Sequence, residues 1–370
     1  MLKTPTPSFE YVLPVIRGIQ SGREYYVSMC PVRLLPKLFP MDDEEILPQM
    51  RVGRSLNRQR LSEIREYILD NRNNYTFSAI TASIDADIVF EPIDTDKEGR
   101  KIGRLRVPMD GRFIINDGKH RRAALELALK ENPDLGYETI ALVLFLDIGL
   151  QRSQQIFADL NRYSVPPDPS LNILYDRRDE QAIVVKAAIE QVAVFRTLTD
   201  LERSNLPARS SKLFTLNNIY NATLALLVNH RDRELAKQIQ IAVDFWNAVS
   251  SYIPDWQRVL AKNVEAGEIR RDYVHCHAIA LSALGAIGAT LLSVYPENWS
   301  EYLGGLQQID WTRTNPDWVG HILSKSGFSQ SRHSVNWMVV YLKKRLNLPL
   351  TSDEEKLGVF GDLKTADENR

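Results

Sequence analysis

The stretch Gly111-Arg112-Phe113-Ile114-Ile115-Asn116-Asp117-Gly118-Lys119-His120-Arg121-Arg122-Ala123-Ala124-Leu125-Glu126-Leu127-Ala128-Leu129-Lys130 has the pattern of a strand, a tight turn and a helix in succession. Residues 113–115 are aromatic or β-branched, as is typical of a strand, and the Asp-Gly pair is typical of a turn. Nearly every residue from Ala123 to Leu129 is a good helix former. Together with its neighbours, this stretch predicts a domain of mixed α and β structure.

The first turn of the predicted helix is basic. Residues Lys119 to Arg122 are all basic or titratable, although a helix N-terminus already carries about +0.5 of an elementary charge and favours carboxylates. An anion such as phosphate would complete this turn, bound by the side chains and by the backbone N–H groups after Gly118. The alternative is a solvated surface on which Arg122 pairs with Glu126 one turn later.

Composition limits the classes of protein to consider. The 46 lysines and arginines are balanced by 47 aspartates and glutamates, so any polyanion must be bound by a local patch and not by the net charge of −1. The chain has two cysteines, Cys30 and Cys276, far apart in sequence. The first residues lack the charge and apolar run of a secretion signal, so we expect a reduced, cytoplasmic setting.

The residues on either side of the basic turn indicate short strands and one amphipathic helix. Tyr11–Ile16 and Glu24–Met29 have the composition of strands. Arg58–Asn71 has apolar residues at helical spacing, and Asn57 is a suitable N-cap in front of it. Thr139–Asp147 contains the apolar run of a buried strand.

Three arginines recur every seven residues along and just beyond this helix, namely Arg58, Arg65 and Arg72. The spacing places them on one side, where they could follow a line of DNA phosphates. The alternative is a solvated face whose charge is partly balanced by nearby acidic residues. The pattern alone leaves both interpretations open.

The sequence changes character after residue 149. The linker Ser164–Pro169 contains three prolines and cannot be helical, so we predict a domain at 1–165 and an all-α domain at 170–350. The predicted helices of the second domain are Asp179–Arg196, Leu213–Asn229, Arg231–Ser251, Pro254–Ala266 and Tyr273–Tyr295. The uncharged stretch Ala278–Tyr295 barely reaches spanning length, and its small residues favour a buried helix over a membrane span.

Residues 316–348 have the outline of a helix-turn-helix motif. A short helix over Asp317–Lys325 would precede a longer one over Gln330–Leu346. Arg332 then lies near the start of the second helix, where base-reading residues of this motif are found. Any two packed helices share this outline, so packing alone is the alternative. Residues 355–370 are polar and are expected to fray.

Three further groups of residues have side chains that could take part in catalysis or metal binding. Asp117 and His120 offer a carboxylate and an imidazole within one turn, which suits acid–base chemistry, but Asp117 is equally suited to cap the helix. His275-Cys276-His277 is not expected to bind a metal, because neighbouring helical residues point about 100° apart. Cys30 is either a redox-sensitive thiol or a small buried hydrophobe.

The run Asp117-Gly118-Lys119-His120-Arg121 resembles the Asp-Gly-Gln-His-Arg signature of the DGQHR-domain family, with Lys119 in place of the family's glutamine. The segment Phe157–Arg162 is similar to the family's Phe-x-x-(Ile/Leu)-Asn segment and singles out Asn161. The resemblance covers residues 50–175 or so. With the chain length and the helical second half, the whole chain looks like the DndB-type DNA sulfur modification proteins within this family.

This resemblance implies a ParB-like N-terminal fold, in which a related Gly-x-x-Arg-Arg turn contacts nucleotide phosphates or DNA. It also implies a bacterial, cytoplasmic repressor that binds the promoter region of the genes for DNA phosphorothioation. Lys119 keeps a hydrogen-bond donor and adds charge, so phosphate contact would survive this substitution, whereas a role that needs an amide would not.

The residues expected to contact phosphate or DNA are Gly118, Lys119, Arg121, Arg122, Arg58, Arg65, Arg72, Asn161 and Arg332. The enzymatic alternative is a nucleotide triphosphatase or DNA-nicking enzyme that uses Asp117 and His120 as catalytic residues and binds ATP or another nucleotide with Mg²⁺. A third interpretation is a scaffold for other DNA sulfur modification proteins. We expect double-stranded DNA and a second copy of the chain as partners, no membrane and no resident metal site.

Overall fold

The computed structural model describes residues 9–40, 56–94, 99–146, 150–162, 166–324, 327–328 and 331–356. The chain divides into two compact units, one up to residue 165 and one from residue 166. The first contains a mixed sheet with helices and the second is mainly helical, so the predicted α+β class is confirmed. Residues 352–356 are helical, and the rest of the predicted frayed tail lies outside the described residues.

A seven-stranded sheet forms the centre of the first unit. Its strands are β1 (Glu10–Gln20), β2 (Arg23–Pro31), β3 (Ile80–Asp85), β4 (Val89–Pro92), β5 (Ile102–Pro108), β6 (Arg112–Asp117) and β7 (Thr139–Leu146). Their order across the sheet is β4-β5-β1-β2-β7-β3-β6, and every pair is antiparallel except β3 with β7. The strands predicted in β1, β2, β6 and β7 are confirmed.

Four α-helices lie in the described part of the same unit. They are α1 (Leu35–Leu38), α2 (Arg58–Asp70), α3 (Lys119–Glu131) and α4 (Leu150–Arg162). Short 3₁₀ turns cover Val32–Leu34, Gly99–Lys101 and Pro133–Tyr137. The predicted cap of α2 is confirmed, because the Asn57 side-chain oxygen accepts hydrogen bonds from the N–H groups of Gln59 (3.0 Å) and Arg60 (3.2 Å).

One apolar core joins α2 and α3 to a single face of the sheet. Ile68 of α2 and Ala124 of α3 are fully buried and belong to the same cluster as Leu105 of β5 and Leu142 of β7. Burial of one large aliphatic side chain contributes roughly 1.5–3 kcal/mol, so this cluster fixes both helices on the sheet. The first turns of α2 and α3 are positioned by this packing.

The described part of the second unit is built mainly from nine helices, besides the short helical segment 352–356. They are α5 (Pro169–Tyr175), α6 (Glu180–Gln191), α7 (Ala193–Leu198), α8 (Leu216–Leu226), α9 (Leu235–Tyr252), α10 (Pro254–Leu260), α11 (Ala266–Asp272), α12 (Ala278–Val294) and α13 (Arg332–Arg345). Phe195, Trp246 and Trp256 are fully buried in its core, with ring centroids of neighbouring pairs 5.4–6.3 Å apart. A long 3₁₀ segment covers Trp299–Gln308.

Two very short strand pairs correct the prediction of a purely helical second domain. The strands β8 (Thr199–Asp200) and β9 (Phe214–Thr215) pair in parallel, and β10 (Leu323–Ser324) pairs antiparallel with β11 (Gly327–Phe328). Two residues are too few to produce a recognisable alternation of apolar and polar residues, which is why the sequence did not indicate them.

Several predicted helices are interrupted. The helix predicted over Asp179–Arg196 is divided at Val192, which is extended (φ −89°, ψ 111°) and fully buried. The helix over Pro254–Ala266 is divided after Leu260, close to Lys262, whose φ of +60° cannot continue a right-handed helix. The helix over Tyr273–Tyr295 starts only at Ala278, because the Val274 N–H donates to the Trp311 carbonyl (2.9 Å) and the His277 N–H to the Val274 carbonyl (3.0 Å), which makes this segment a turn.

The predicted helix over Asp317–Lys325 is wrong, so the helix-turn-helix outline lacks its first helix over the described residues 316–324. Pro316–Trp318 forms a single 3₁₀ turn. Gly320 then has a φ of +78° and donates its N–H to the Leu323 carbonyl (3.0 Å), which turns the chain into β10. The second helix is confirmed as α13.

Helix α12 is a buried helix, as its small residues predicted. Ten of its residues are buried, and Gly285 approaches the Ala222 backbone of α8 so closely that an added Cβ would lie 2.0 Å from the carbonyl oxygen. Among the described residues, no helix is both long and apolar enough to cross a membrane.

Candidate nucleic-acid interface

The N-termini of α2 and α3 lie side by side. The Asn57 backbone N–H, at the start of α2, donates to His120 Nε2 at the start of α3 (3.0 Å). Farther along, Arg65 of α2 pairs with Glu131 at the end of α3 (2.8 Å). The N-terminal ends of the two helices are thus in contact, and residues farther along each helix also face each other, so the two helices run in the same direction. Their positive dipole ends therefore point toward the same region.

Gly118 allows β6 to enter α3 directly. Its φ of +103° is a left-handed conformation that residues with a Cβ rarely adopt. An added Cβ would also lie 3.1 Å from Ile80 Cγ1 and 3.3 Å from Arg121 Nη2. As the N-cap, Gly118 has no side chain to accept hydrogen bonds from the first turn of α3. The turn thus leaves backbone donors available to an anion.

The Arg121 guanidinium forms hydrogen bonds within the first unit. Its Nη1 donates to the carbonyl oxygens of Ser78 (2.7 Å) and Ala79 (3.0 Å), and also to the Ser78 hydroxyl. Its Nη2 donates to Asp117 Oδ2 (2.6 Å), and only 15% of its side chain is exposed. Arg121 therefore ties α3 to the segment before β3. This arrangement differs from the direct phosphate contact predicted from sequence.

Arg122 is buried as well. Its relative exposure is 1%, and its Nη1 donates to the Glu126 carboxylate one turn later. Burial lowers the pKa of Arg122 from its ordinary value, although Glu126 opposes the shift. Its Nε has no acceptor among the described residues. The local pairing that sequence offered as the alternative is thus the one observed.

His120 links the two helix starts. Because its Nε2 accepts the Asn57 N–H, the imidazole must be neutral, with its hydrogen on Nδ1. Burial, and then the charge of Arg60, lower the pKa of His120 below its ordinary value of 6.5. Asp117 has a different partner, Arg121, so the carboxylate and the imidazole proposed for acid–base chemistry are each engaged elsewhere. Nor does the Asp117 side chain cap α3.

The cations that face solvent at these helix starts are partly different from those predicted. Arg58 and Arg60 are exposed, and neither forms an ion pair within the described residues. Lys119 is the first residue of α3 and is half-buried. Arg60 was absent from the set of site residues predicted from sequence. The sequence signal for Arg60 was its position three residues after the Asn57 cap, because a cation is unusual in the first turn of a helix.

The other two arginines of the predicted stripe are paired on the protein surface. Arg65 pairs with Glu131 (2.8 Å) and Arg72 pairs with Asp134 (3.1 Å). These pairs connect α2 to the C-terminal end of α3 and to the 3₁₀ turn that follows it. Of the three heptad-spaced arginines, Arg58 alone has no ion pair in the described part of the chain.

Two further predicted residues lie outside the α2–α3 pair. Asn161, near the end of α4, donates its side-chain Nδ2 to the Phe157 carbonyl of the same helix (2.8 Å). Arg332 is the first residue of α13 in the second unit and is exposed, as are His333 and Asn336. Ser331 caps α13, accepting the Ser334 N–H at 3.1 Å.

Cys30 and His275 are buried in the cores of their units. Cys30 is fully buried, and burial raises the pKa of its thiol to about 12, which opposes formation of a reactive thiolate. His275 Nδ1 accepts the Trp256 indole N–H (3.1 Å), and its Nε2 faces Asp255 (3.3 Å). The His275-Cys276-His277 segment is a turn and not a helix, which corrects the basis of its prediction. No group of three or more potential ligands is placed to hold a metal ion among the described residues.

Comparison with known proteins gives one family match. A family model described as DndB, DNA-sulfur modification-associated, matches residues 13–349. This range includes the turn from Asp117 to Arg122 and extends from the first unit to just beyond α13 of the second. Neither the curated proteins nor the solved structures contain a match.

Proposed function

Because the chain belongs to the DndB family of DNA-sulfur modification-associated proteins, we propose that it is a DNA-binding repressor of the genes for DNA phosphorothioation. The observation that carries this proposal is the pair of parallel helix starts at Asn57 and Gly118. Two positive dipole ends, the exposed arginines at the start of α2 and the uncapped backbone N–H groups at the start of α3 form a surface suited to a phosphate of the DNA backbone.

Each residue has a distinct part in this interface. Arg58, Arg60 and Lys119 contact phosphate oxygens, because they lie in the first turns of the two helices. Arg121 and Arg122 are positioning residues: Arg121 ties α3 to the segment before β3, and Arg122 pairs with Glu126 within α3. These contacts are independent of base sequence and supply affinity, not specificity.

Specificity requires contacts to base edges or to DNA shape. Arg332, His333 and Asn336 are exposed in the first two turns of α13, and their side chains include the hydrogen-bond donors that guanine and adenine edges accept. We assign base reading to this start of α13, without the helix-turn-helix scaffold that the sequence suggested.

Hydrolysis of a nucleotide at the same turn would require Asp117 and His120 to act together. In the structure Asp117 accepts from Arg121 and His120 accepts from Asn57, an arrangement that favours positioning over proton transfer. Release of phosphate from ATP with Mg²⁺, abolished by His120→Ala, would support the enzymatic alternative.

The repressor proposal is tested by DNA binding of Arg58→Gln/Arg60→Gln. We expect the double variant to lose roughly tenfold or more in affinity for both promoter and unrelated DNA, since two phosphate contacts are removed. The matched control is Arg23→Gln/Arg104→Gln, which changes the same charge at two exposed arginines of the sheet. Fluorescence anisotropy with labelled duplexes measures both affinities.

Two results would contradict the proposal. The first is that the wild-type chain shows no preference for the promoter fragment over unrelated DNA. The second is that the α2 double variant binds both DNAs with the affinity of the control variant. The first result removes the repressor assignment, and the second removes these helix starts as the DNA-binding surface.

A further inference from the structure

The second unit contains a cavity of about 580 Å³ that the proposed DNA-binding function does not use. It lies where the first turns of α8 and α12 meet α11 and the loop of residues 204–208. This volume falls within the range of small-molecule sites in proteins, about 300–1,000 Å³. A DNA duplex is too wide to enter a space of this size.

The charge of the cavity wall is positive. Arg270 and Arg271 of α11 line it, and no lining residue described by the structure is an aspartate or glutamate. Arg271 donates its Nε and Nη2 to the neighbouring Asp272 (2.8 and 2.7 Å), and its Nη1 has no acceptor among the described residues. Asp168 accepts the N–H of the lining residue Ser204 (3.0 Å). A negatively charged ligand is therefore favoured over a cation.

Backbone donors add to this charge. The 17-residue helix α12 begins in the wall with Ala278 and Ile279, and its N-cap His277 provides no side-chain cap. The N–H groups of the first helical turn have no partners inside the helix, so an oxyanion in the cavity would accept them. Cys276 also lines the cavity and is 3% exposed.

The part of the wall formed by the start of α8 is polar and uncharged. Asn217 and Asn218, in the first turn of α8, line the cavity together with the buried residue Thr215. The Thr215 hydroxyl accepts the Asn218 N–H (3.2 Å), which fixes this turn. The two amide side chains can donate and accept hydrogen bonds, as is required for the polar part of an organic ligand.

The cavity is held open by contacts of its own wall. Arg270 donates to four carbonyl oxygens, those of Pro207, Ala208, Ser210 and Lys212, at 2.9–3.1 Å. Gly267 lies against the same loop, where an added Cβ would be 2.5 Å from the Ala208 oxygen. Because these contacts need no ligand, the site is preformed.

We propose that this cavity binds a phosphorylated small molecule of nucleotide size, with its phosphate at the first turn of α12 beside Arg271 and its organic part against the α8 asparagines. His277, whose pKa burial lowers to about 4, stays neutral at physiological pH. The binding of the phosphate thus depends on the arginine and the backbone donors.

Isothermal titration calorimetry of the full chain with adenosine 5′-monophosphate and with inorganic phosphate tests this site. We expect the nucleotide to bind with a Kd below about 1 mM. Asn218→Asp should weaken binding roughly tenfold or more, because it places a negative charge in the wall. The same change favours α8, since a carboxylate in the first turn interacts well with the helix dipole, so the variant should fold.

The matched control is Asn229→Asp, the same substitution at an exposed position beyond the opposite end of α8. A second pair compares Arg271→Gln with Arg177→Gln, two exposed arginines of the same unit, only the first of which lines the cavity. Tighter binding of inorganic phosphate than of the nucleotide would reject the organic part of the ligand. Absence of binding by both probes, or equal binding by Asn218→Asp and its control, would overturn the proposal.

Discussion

The arginines of the basic turn have different surroundings although they are neighbours in sequence. Arg121 meets the carbonyl oxygens of residues 78 and 79, which precede it by more than forty positions, so no local pattern could reveal this contact. Arg122 pairs with Glu126 at a spacing of four, which the sequence did offer as an alternative. Exposed arginines and buried ones cannot be told apart when the burying residues are distant in sequence.

At this scale we predict that Arg121→Ala lowers the free energy of unfolding by about 2 kcal/mol, because it removes a charged donor from two carbonyl oxygens and from the Asp117 carboxylate. Arg58→Ala, at an exposed position without an ion pair in the described part of the chain, should change it by less than about 0.5 kcal/mol. Urea denaturation of both variants measures the difference. Equal effects would show that Arg121 is not a positioning residue.

The individual helices α2 and α3 were predicted well, but their parallel arrangement was not. Capping by Asn57 and the run of helix formers after Gly118 are local signals and can be recognised in sequence. The contact between Asn57 and His120 joins residues 63 positions apart and depends on how both helices pack on the sheet. The convergence of positive helix ends is thus a property of the pair, which the sequence of either helix does not contain.

The pH dependence of this contact follows from His120. Its pKa in the folded chain is lowered, so the unfolded chain binds the proton more readily as the pH falls through about 6.5. The contribution of the neutral imidazole to the free energy of unfolding is therefore present above about pH 6.5. This contribution is lost as the pH falls from that value to the lower pKa of the folded chain. We expect the stability difference between wild type and His120→Leu to shrink from pH 7.5 to pH 5. Chemical denaturation at several pH values measures it, and a pH-independent difference would contradict this role.

The breaks in the second unit show the same limit at the level of elements. Lys262 adopts a φ of +60° without being a glycine, and Val274 is held by the carbonyl of Trp311. Lysine and valine do not end a helix by themselves, so the helical pattern in the sequence extends past both positions. Gly320, in contrast, was a visible stop signal within the predicted short helix.

For the molecule as a whole, composition predicted a local and not a global DNA-binding surface. The net charge is −1, and the structure places exposed cations at the joint start of two helices. The sequence resemblance to DndB-type proteins is confirmed by the family match over residues 13–349, whereas the ParB-like fold stays a prediction. Which unit reads DNA sequence also stays a proposal, because it depends on contacts made only with DNA.

The salt dependence of DNA affinity tests the central claim most directly. The logarithm of the association constant falls with the logarithm of salt concentration by about 0.9 for each phosphate contact in duplex DNA. We predict a clearly negative slope for the wild type and a slope shallower by about 1.8 for Arg58→Gln/Arg60→Gln, with the Arg23→Gln/Arg104→Gln control unchanged. A wild-type slope near zero, or the same slope in all three proteins, would contradict phosphate binding at the starts of α2 and α3.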